Sequence, residues 1–163
     1  MLKYDEENEA FKIRNYQGSG IYIKCERSMI LRNNSFFYFC SNLIKVNIIS
    51  NEDNQSQIIL KVIHGVEKDK QYNFFSNNKS IIQIGRKKNI NYDIDIEFNE
   101  DNVSKIQTKI FYSNNNWNII DGDGLEKKSR SGTWILADEY TITWDGCIIF
   151  VENNTFEIQY KHY

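Results

Sequence analysis

The sequence contains no apolar run that approaches the ~18 residues a helix needs to cross a bilayer. Its acidic start, MLKYDEENEAFKIRNYQ, also lacks the basic head and continuous apolar core of a secretory signal. Neither a membrane span nor secretion is expected. Cysteine is scarce: Cys25, Cys40 and Cys147 are odd in number, show no Cys-x-x-Cys spacing and sit in apolar or strand-like runs. They read as buried reduced thiols, which suits an intracellular protein of the nucleus or cytoplasm. Histidine is scarcer still. His64 ends an apolar run and His162 lies in the tail, neither with a nearby nucleophile or metal-ligand spacing. An excess of charge of one sign is missing as well. The formal net charge of -2 and pI near 5.7 give no overall pull toward nucleic acid or an anionic membrane, so any anion binding must come from a local cluster. Proline is absent while Asn, Ile, Tyr, Phe and Lys are plentiful; this reads as genome base composition, and no function is built on it.

What is present is a chain of 163 residues, 40% hydrophobic, long enough for one domain with a genuine core plus an extra segment. No stretch carries a sustained helical stripe. Residues 2 to 11 are the one candidate for a short helix, and their charge density with few apolar anchors works against it. Short β-branched and aromatic runs dominate instead: 20–24, 36–39, 43–49, 58–64, 72–75, 80–85, 92–98, 105–112, 117–121, 132–137, 140–144, 147–151 and 155–160. Asn, Asp, Gly and Ser clusters separate them at the short spacing of antiparallel meanders. The expected fold class is all-β, an antiparallel β-sandwich with little helix.

The chain also resembles itself. An ungapped shift that lays Gly20 on Gly132 lays Tyr22 on Trp134, Ile23 on Ile135, Glu26 on Asp138, Ile30 on Ile142, Tyr38 on Phe150 and Val46 on Ile158. Identities are few, but alternation and turn positions agree. On this reading residues 14 to 50 are the closing hairpins of an upstream copy; otherwise residues 1–57 supply extra strands.

Three segments gather chemistry suited to an anion. The strand SIIQIG ends on Gly85 and delivers Arg86 at the mouth of the sheet, where a guanidinium stays wet and offers a rigid fork of donors matched to phosphate. Ser104 and Lys105 stand in the turn before KIQTKIFY. Ser129, Arg130 and Ser131 stand before Gly132 in another pre-strand turn. Because inter-strand loops of a sandwich gather at its ends, Arg86, Lys105, Arg130 and the serine hydroxyls can converge on one rim.

Taken in order, IGR (84–86), DIDI (93–96), VSKIQ (103–107), W-x-I-x-D-G (117–122), S-x-S-G-T-W (129–134) and the strand pair CIIFVENNTFEI (147–158) resemble the forkhead-associated (FHA) domain family, over roughly residues 58–160. The resemblance implies a phosphothreonine-peptide-binding β-sandwich. It matches Arg86 to the phosphate-binding arginine, Ser104 to the phosphate-bonding serine and Lys105 to the polar or cationic position after it. Arg130 falls one before the usual asparagine, and Gly132 with Thr133 match the family's Gly-Thr. Two positions depart. The usual histidine is Gln107, which can donate and accept and so is expected to support the loops. The asparagine that normally bonds the peptide backbone is Ser131, too short to span the same distance. Two or three charge-assisted bonds of roughly 1.5–3 kcal/mol each supply much of the roughly 8 kcal/mol of a micromolar complex.

Other constellations are weaker. DGDGLE (121–126) begins like a calcium loop, but Glu126 stands where an EF-hand loop needs Gly, so a hairpin turn is the reading. Asp93 and Asp95 read as solvated charges on one strand face. The glycine pair in GSG (18–20) lacks a nucleotide-site context. Trp117, Trp134 and Trp144 read as core or cross-strand aromatics rather than stacking platforms for nucleic acid. The expectation is therefore a non-enzymatic signalling module with one phosphate site (Arg86, Ser104, Lys105, Arg130, Ser131, supported by Gly85, Gln107, Gly132 and Thr133). It needs no cofactor or metal, its partner is a phosphothreonine protein, and neither nucleic acid nor membrane is implied. The rival is an FHA-like assembly module that binds partners without phosphate.

Overall fold

The structure is a computed structural model and describes residues 2–5, 10–13, 20–50, 55–87, 93–124, 126–138 and 141–160. These residues form strands and turns and no helix, and the architecture is of the all-β sandwich type that the sequence predicts. Accordingly, among the described residues no helix is long and apolar enough to cross a membrane. The chain makes two compact units, one of residues 1–24 with 134–163 and one of residues 25–133. The first holds β1 (Leu2–Asp5), β2 (Ala10–Ile13), β3 (Ile21–Lys24), β13 (Trp134–Leu136), β14 (Thr141–Ile142), β15 (Cys147–Val151) and β16 (Asn154–Ile158). The second holds β4 (Met29–Ile30), β5 (Phe36–Phe39), β6 (Asn42–Ser50), β7 (Ser56–His64), β8 (Gln71–Phe75), β9 (Ile81–Arg86), β10 (Ile96–Phe98), β11 (Thr108–Ser113) and β12 (Asn116–Asp121).

In the second unit, β5–β6–β7–β8 form one sheet and β10–β9–β11–β12–β4 the other. Period-two patterning sets which face of each strand is inside. Ile44 and Val46 of β6, Ile58, Leu60 and Val62 of β7, Ile82 and Ile84 of β9, and Trp117 and Ile119 of β12 are buried, while the residues between them are half-exposed or exposed. The two sheets meet across Phe39 and Phe98, whose rings are edge-to-face at 5.1 Å, and across a 3.0 Å bond from the Trp117 indole N–H to Ser56 Oγ. Each fully buried large side chain contributes roughly 1.5–3 kcal/mol. β6 and β7 pair from Leu43–His64 to Ser50–Ser56, with a register shift after Leu43. Residues 42–50 are thus continuous in one sheet with residues 56–75.

One pairing in this unit is parallel. β10 lies beside β9 with Glu97 opposite Gly85 and Phe98 opposite Arg86. Of the expected strand 92–98, residue 92 lies outside the described residues and the strand runs Ile96–Phe98; just before it, Asp95 does other work. It accepts the Gln83 N–H at 2.8 Å and pairs with Lys79 at 2.6 Å. Asp95 is therefore a structural bridge between loop and strand, a correction to its reading as solvated charge, whereas Asp93 is exposed.

In the first unit, β16–β15–β3–β13 form one sheet and β1–β2–β14 a second. The candidate helix at residues 2–11 is corrected where it is described: residues 2–5 and 10–13 pair as antiparallel strands. A distant aromatic decides this. Phe11 lies edge-on to Tyr4 at 5.2 Å and to Tyr160 at 5.4 Å. The Tyr160 hydroxyl accepts the Phe11 N–H at 3.1 Å and donates to the Thr143 carbonyl at 2.9 Å.

The internal likeness is visible in the backbone. The shift that lays Gly20 on Gly132 carries β4 onto β14, β5 into β15 and the start of β6 onto β16. It also carries Asn34 (φ 65°) onto Gly146 (φ 77°) and Cys40 (φ 50°) onto Glu152 (φ 55°), so turn residues in the left-handed region coincide. β3 and β13 pair with Ile23 opposite Ile135, Tyr22 opposite Leu136 and Lys24 opposite Trp134. That pairing is unchanged when the two strands exchange places under the shift.

Candidate functional site

Four segments of the second unit meet at one place: the end of β9, the loop 99–107, the loop 122–133 and the turn between β5 and β6. Gly85 makes the first meeting possible. It lies in the strand rather than at a departure from it, and a Cβ there would run into the backbone carbonyl of Lys105. The close approach lets the Arg86 N–H bond the Ser104 carbonyl at 2.9 Å and the Gln107 N–H bond the Ile84 carbonyl at 2.8 Å. The loop 99–107 is thereby sewn to the strand end, and β11 starts at Thr108 instead of at the expected residue 105.

Gln107 organises the loops from below. Its side chain is fully buried, and every donor and acceptor position of its amide is engaged. Nε2 donates to Ser129 Oγ at 2.7 Å and to the Gly132 carbonyl at 3.1 Å. Oε1 accepts the Ser104 N–H at 3.1 Å and the Ser131 hydroxyl at 3.3 Å. Buried Thr133 adds a second layer, its hydroxyl bonding the Gln107 carbonyl at 3.0 Å and lying 2.7 Å from that of Thr108. Gly132 turns with φ 74°, a region costly for most side chains.

Above this clasp stand the cations. Arg86 Nη1 donates to the Asp101 carbonyl oxygen at 3.2 Å, and Arg130 Nη2 donates to the same oxygen at 2.9 Å. Two guanidinium groups therefore converge on one neutral acceptor, and among the described residues no carboxylate forms an ion pair with either. Ser104 is fixed beside them. Its Oγ accepts the Arg130 backbone N–H at 3.0 Å, which leaves the hydroxyl hydrogen available as a donor. Arg86 and Ser104 are half-buried and Arg130 is exposed. Such a pair of like charges, with most of their donors unengaged, is arranged to receive an anion.

Of the residues singled out from sequence, Arg86, Ser104 and Arg130 come together around the Asp101 carbonyl. Lys105 is exposed on the same loop. Ser131 points its hydroxyl into the clasp and onto Cys40 Sγ, 3.1 Å away. Lys87 is exposed, and Lys88 lies outside the described residues.

Several contributors were not anticipated. Asp121, read as part of a hairpin turn, is buried and clamps Ser129, accepting its N–H at 3.0 Å and its hydroxyl at 2.6 Å. The clue in sequence is an aspartate at an inward-facing position of the alternating run WNIID. Residues 40–42, assigned to an N-terminal segment, also reach the rim. Cys40 Sγ bonds the Asn102 carbonyl at 3.4 Å, Ser41 Oγ bonds Glu100 at 3.0 Å and Asn42 Nδ2 bonds Glu100 at 2.6 Å. No local pattern marks them, because their role exists only once β6 has paired with β7. Burial pushes the Cys40 thiol above its ordinary range; its bond with Ser131 opposes this, Glu100 adds to it and Arg130 counters it. It stands as a neutral thiol at neutral pH and is half-buried, a correction to its reading as a buried one, while Cys25 and Cys147 are buried thiols outside any disulfide, as expected.

No protein-family model, no curated protein and no solved structure matches this chain.

Proposed function

We propose that the chain is a phosphopeptide-binding module of the forkhead-associated kind, capturing phosphothreonine in partner proteins without catalysis. The observation that carries this reading is the convergence of Arg86 and Arg130 on one backbone carbonyl beside the Ser104 hydroxyl, whose oxygen accepts the Arg130 N–H. A phosphate monoester brings close to two negative charges and three acceptor oxygens. Two guanidinium forks and a hydroxyl supply donors of matching number and charge. The charge-assisted bonds, at roughly 1.5–3 kcal/mol each, account for most of a micromolar affinity.

Arg86→Ala is expected to lower affinity for a phosphothreonine peptide at least about a hundredfold, since it removes a charge-assisted fork. Fluorescence anisotropy with phosphorylated, unphosphorylated and phosphoserine forms of one peptide measures both the phosphate requirement and the threonine preference. Unchanged affinity in the variant would refute the site.

A second reading has its own support. Ser131 stands where the resemblance calls for a peptide-holding asparagine, and its hydroxyl is turned toward Gln107 and Cys40. A module without that backbone clamp serves as an assembly surface whose partners ignore phosphate, and partners retained after phosphatase treatment would favour it.

A further inference from the structure

The loop carrying Ser104 and the turn after β12 border a half-open cavity of about 290 Å³, lined by Ser104, Lys105, Ile106, Asp123, Lys127 and Lys128. Ser104 belongs to both places: it lines this cavity, and its hydroxyl oxygen accepts the Arg130 N–H at 3.0 Å. Cavity and arginine pair therefore adjoin through one residue. The turn that forms the far wall is well tied. The Asp123 N–H bonds the Lys127 carbonyl at 3.1 Å, and the Asp123 carboxylate accepts the Lys127 N–H at 3.1 Å. Lys128 Nζ is held at 2.7 Å on the Glu26 carbonyl, a neutral acceptor that fixes the ammonium without neutralising it.

The lining residues thus include three lysines against one aspartate, whose carboxylate is engaged with the turn backbone. In a chain whose formal net charge is -2, this is a local positive excess beside a second one. At about 30 Å³ per water in the liquid, the cavity has room for a side chain together with its hydration. Mostly solvated cations attract an anion with a modest free energy that salt weakens.

We propose that this cavity is a second anion subsite, which receives an acidic side chain of the same phosphorylated peptide, either a carboxylate or a second phosphate. The proposal rests on the phosphate reading of the arginine pair. It makes the preferred ligand a phosphorylated residue with an acidic neighbour at a fixed spacing, set by the distance from Arg86 and Arg130 across Ser104 to Lys127.

The test uses the full chain and phosphothreonine peptides of otherwise neutral sequence. A single aspartate is moved one position at a time along both flanks, and a parallel series carries phosphoserine in its place. One position, or two adjacent ones, is expected to tighten binding roughly three- to tenfold with aspartate, and more with phosphoserine. Lys127→Gln should remove that gain while leaving the neutral-flank peptide unchanged, and Lys127→Glu should turn the preference at that position toward lysine. Phosphopeptides that bind with a flat aspartate profile, or a gain that persists undiminished in both variants, would overturn the subsite and leave the phosphate reading standing. Failure of every phosphopeptide to bind would overturn the phosphate reading, and the subsite with it.

Discussion

At the scale of single residues, Gln107 decides whether the site exists. Its amide ties the loops 99–107 and 122–133 together from a fully buried position, so the loss of its polar atoms cannot be made good by water. Gln107→Leu keeps much of the volume but leaves the Ser104 N–H and the Gly132 carbonyl without their partners. At roughly 1–3 kcal/mol for each of the two stranded groups, the expected cost is about 2–6 kcal/mol. For a chain of this size that lowers Tm by about 4–24 °C. Thermal and urea unfolding measure the cost, and a change below about 1 kcal/mol would show that the loops hold without the clasp. Phosphopeptide affinity should fall as well, because Ser104 and Arg130 are placed by the same bonds. The sequence marks Gln107 only through the FHA resemblance, as a substitute for histidine. Its fourfold engagement depends on loops brought in from residues 104, 129, 131 and 132, which local pattern does not reveal.

At the scale of elements, turn chemistry and alternation were largely legible, and long-range partners were not. The runs IILKVIH and WNIID emerge as β7 and β12 with the expected faces inside, because period-two burial is written residue by residue. The strand pair of residues 2–5 and 10–13 departs from the expected helix because Phe11 is held by Tyr160 at the other end of the sequence. β10 is shorter than expected because the Asp95 side chain takes the Gln83 N–H and Lys79, even though the Asp95 N–H still bonds the Gln83 carbonyl at 2.9 Å. The tightest local signal is the hairpin between β11 and β12. Ser113 pairs with Asn116 across a two-residue loop, and Asn114 and Asn115 have φ of 50° and 60°. This is the left-handed pair that a type I′ turn requires, with glycine favoured at its second place. Asn115→Gly should therefore be neutral to stabilising by about 0.5 kcal/mol, whereas Asn115→Val, stiff at Cβ and costly at positive φ, should lose about 1–2 kcal/mol. Paired urea denaturations measure both; a valine variant as stable as the parent would show that the turn does not need its left-handed geometry.

At the scale of the whole molecule, the FHA resemblance covers residues from about 58 onward, yet the sheet that backs the site begins earlier in the chain. Phe37 and Phe39 of β5 and Ile44 and Val46 of β6 are buried. β6 covers β7 along its length, and residues 40–42 touch the loop at 100–102. Removing four such side chains forfeits roughly 6–12 kcal/mol at about 1.5–3 kcal/mol each, comparable to the entire stability of a typical domain, roughly 5–15 kcal/mol. It would also bare the β7 edge, with its unpaired backbone groups beside Ile58, Leu60 and Val62, and an exposed apolar edge invites aggregation. A chain of residues 51–163 should therefore lack a cooperative thermal transition, show collapsed amide dispersion in its NMR spectrum and fail to bind phosphopeptide, while the full chain gives a sharp melt. The internal likeness sharpens the test. The shift that carries β5 and β6 onto β15 and β16 means that the truncated chain still holds one strand pair of that pattern, at residues 147–158. A cooperative melt from residues 51–163 with phosphopeptide binding intact would mean that β15 and β16 take the places of β5 and β6, and that one copy of the repeat is enough to close the sandwich.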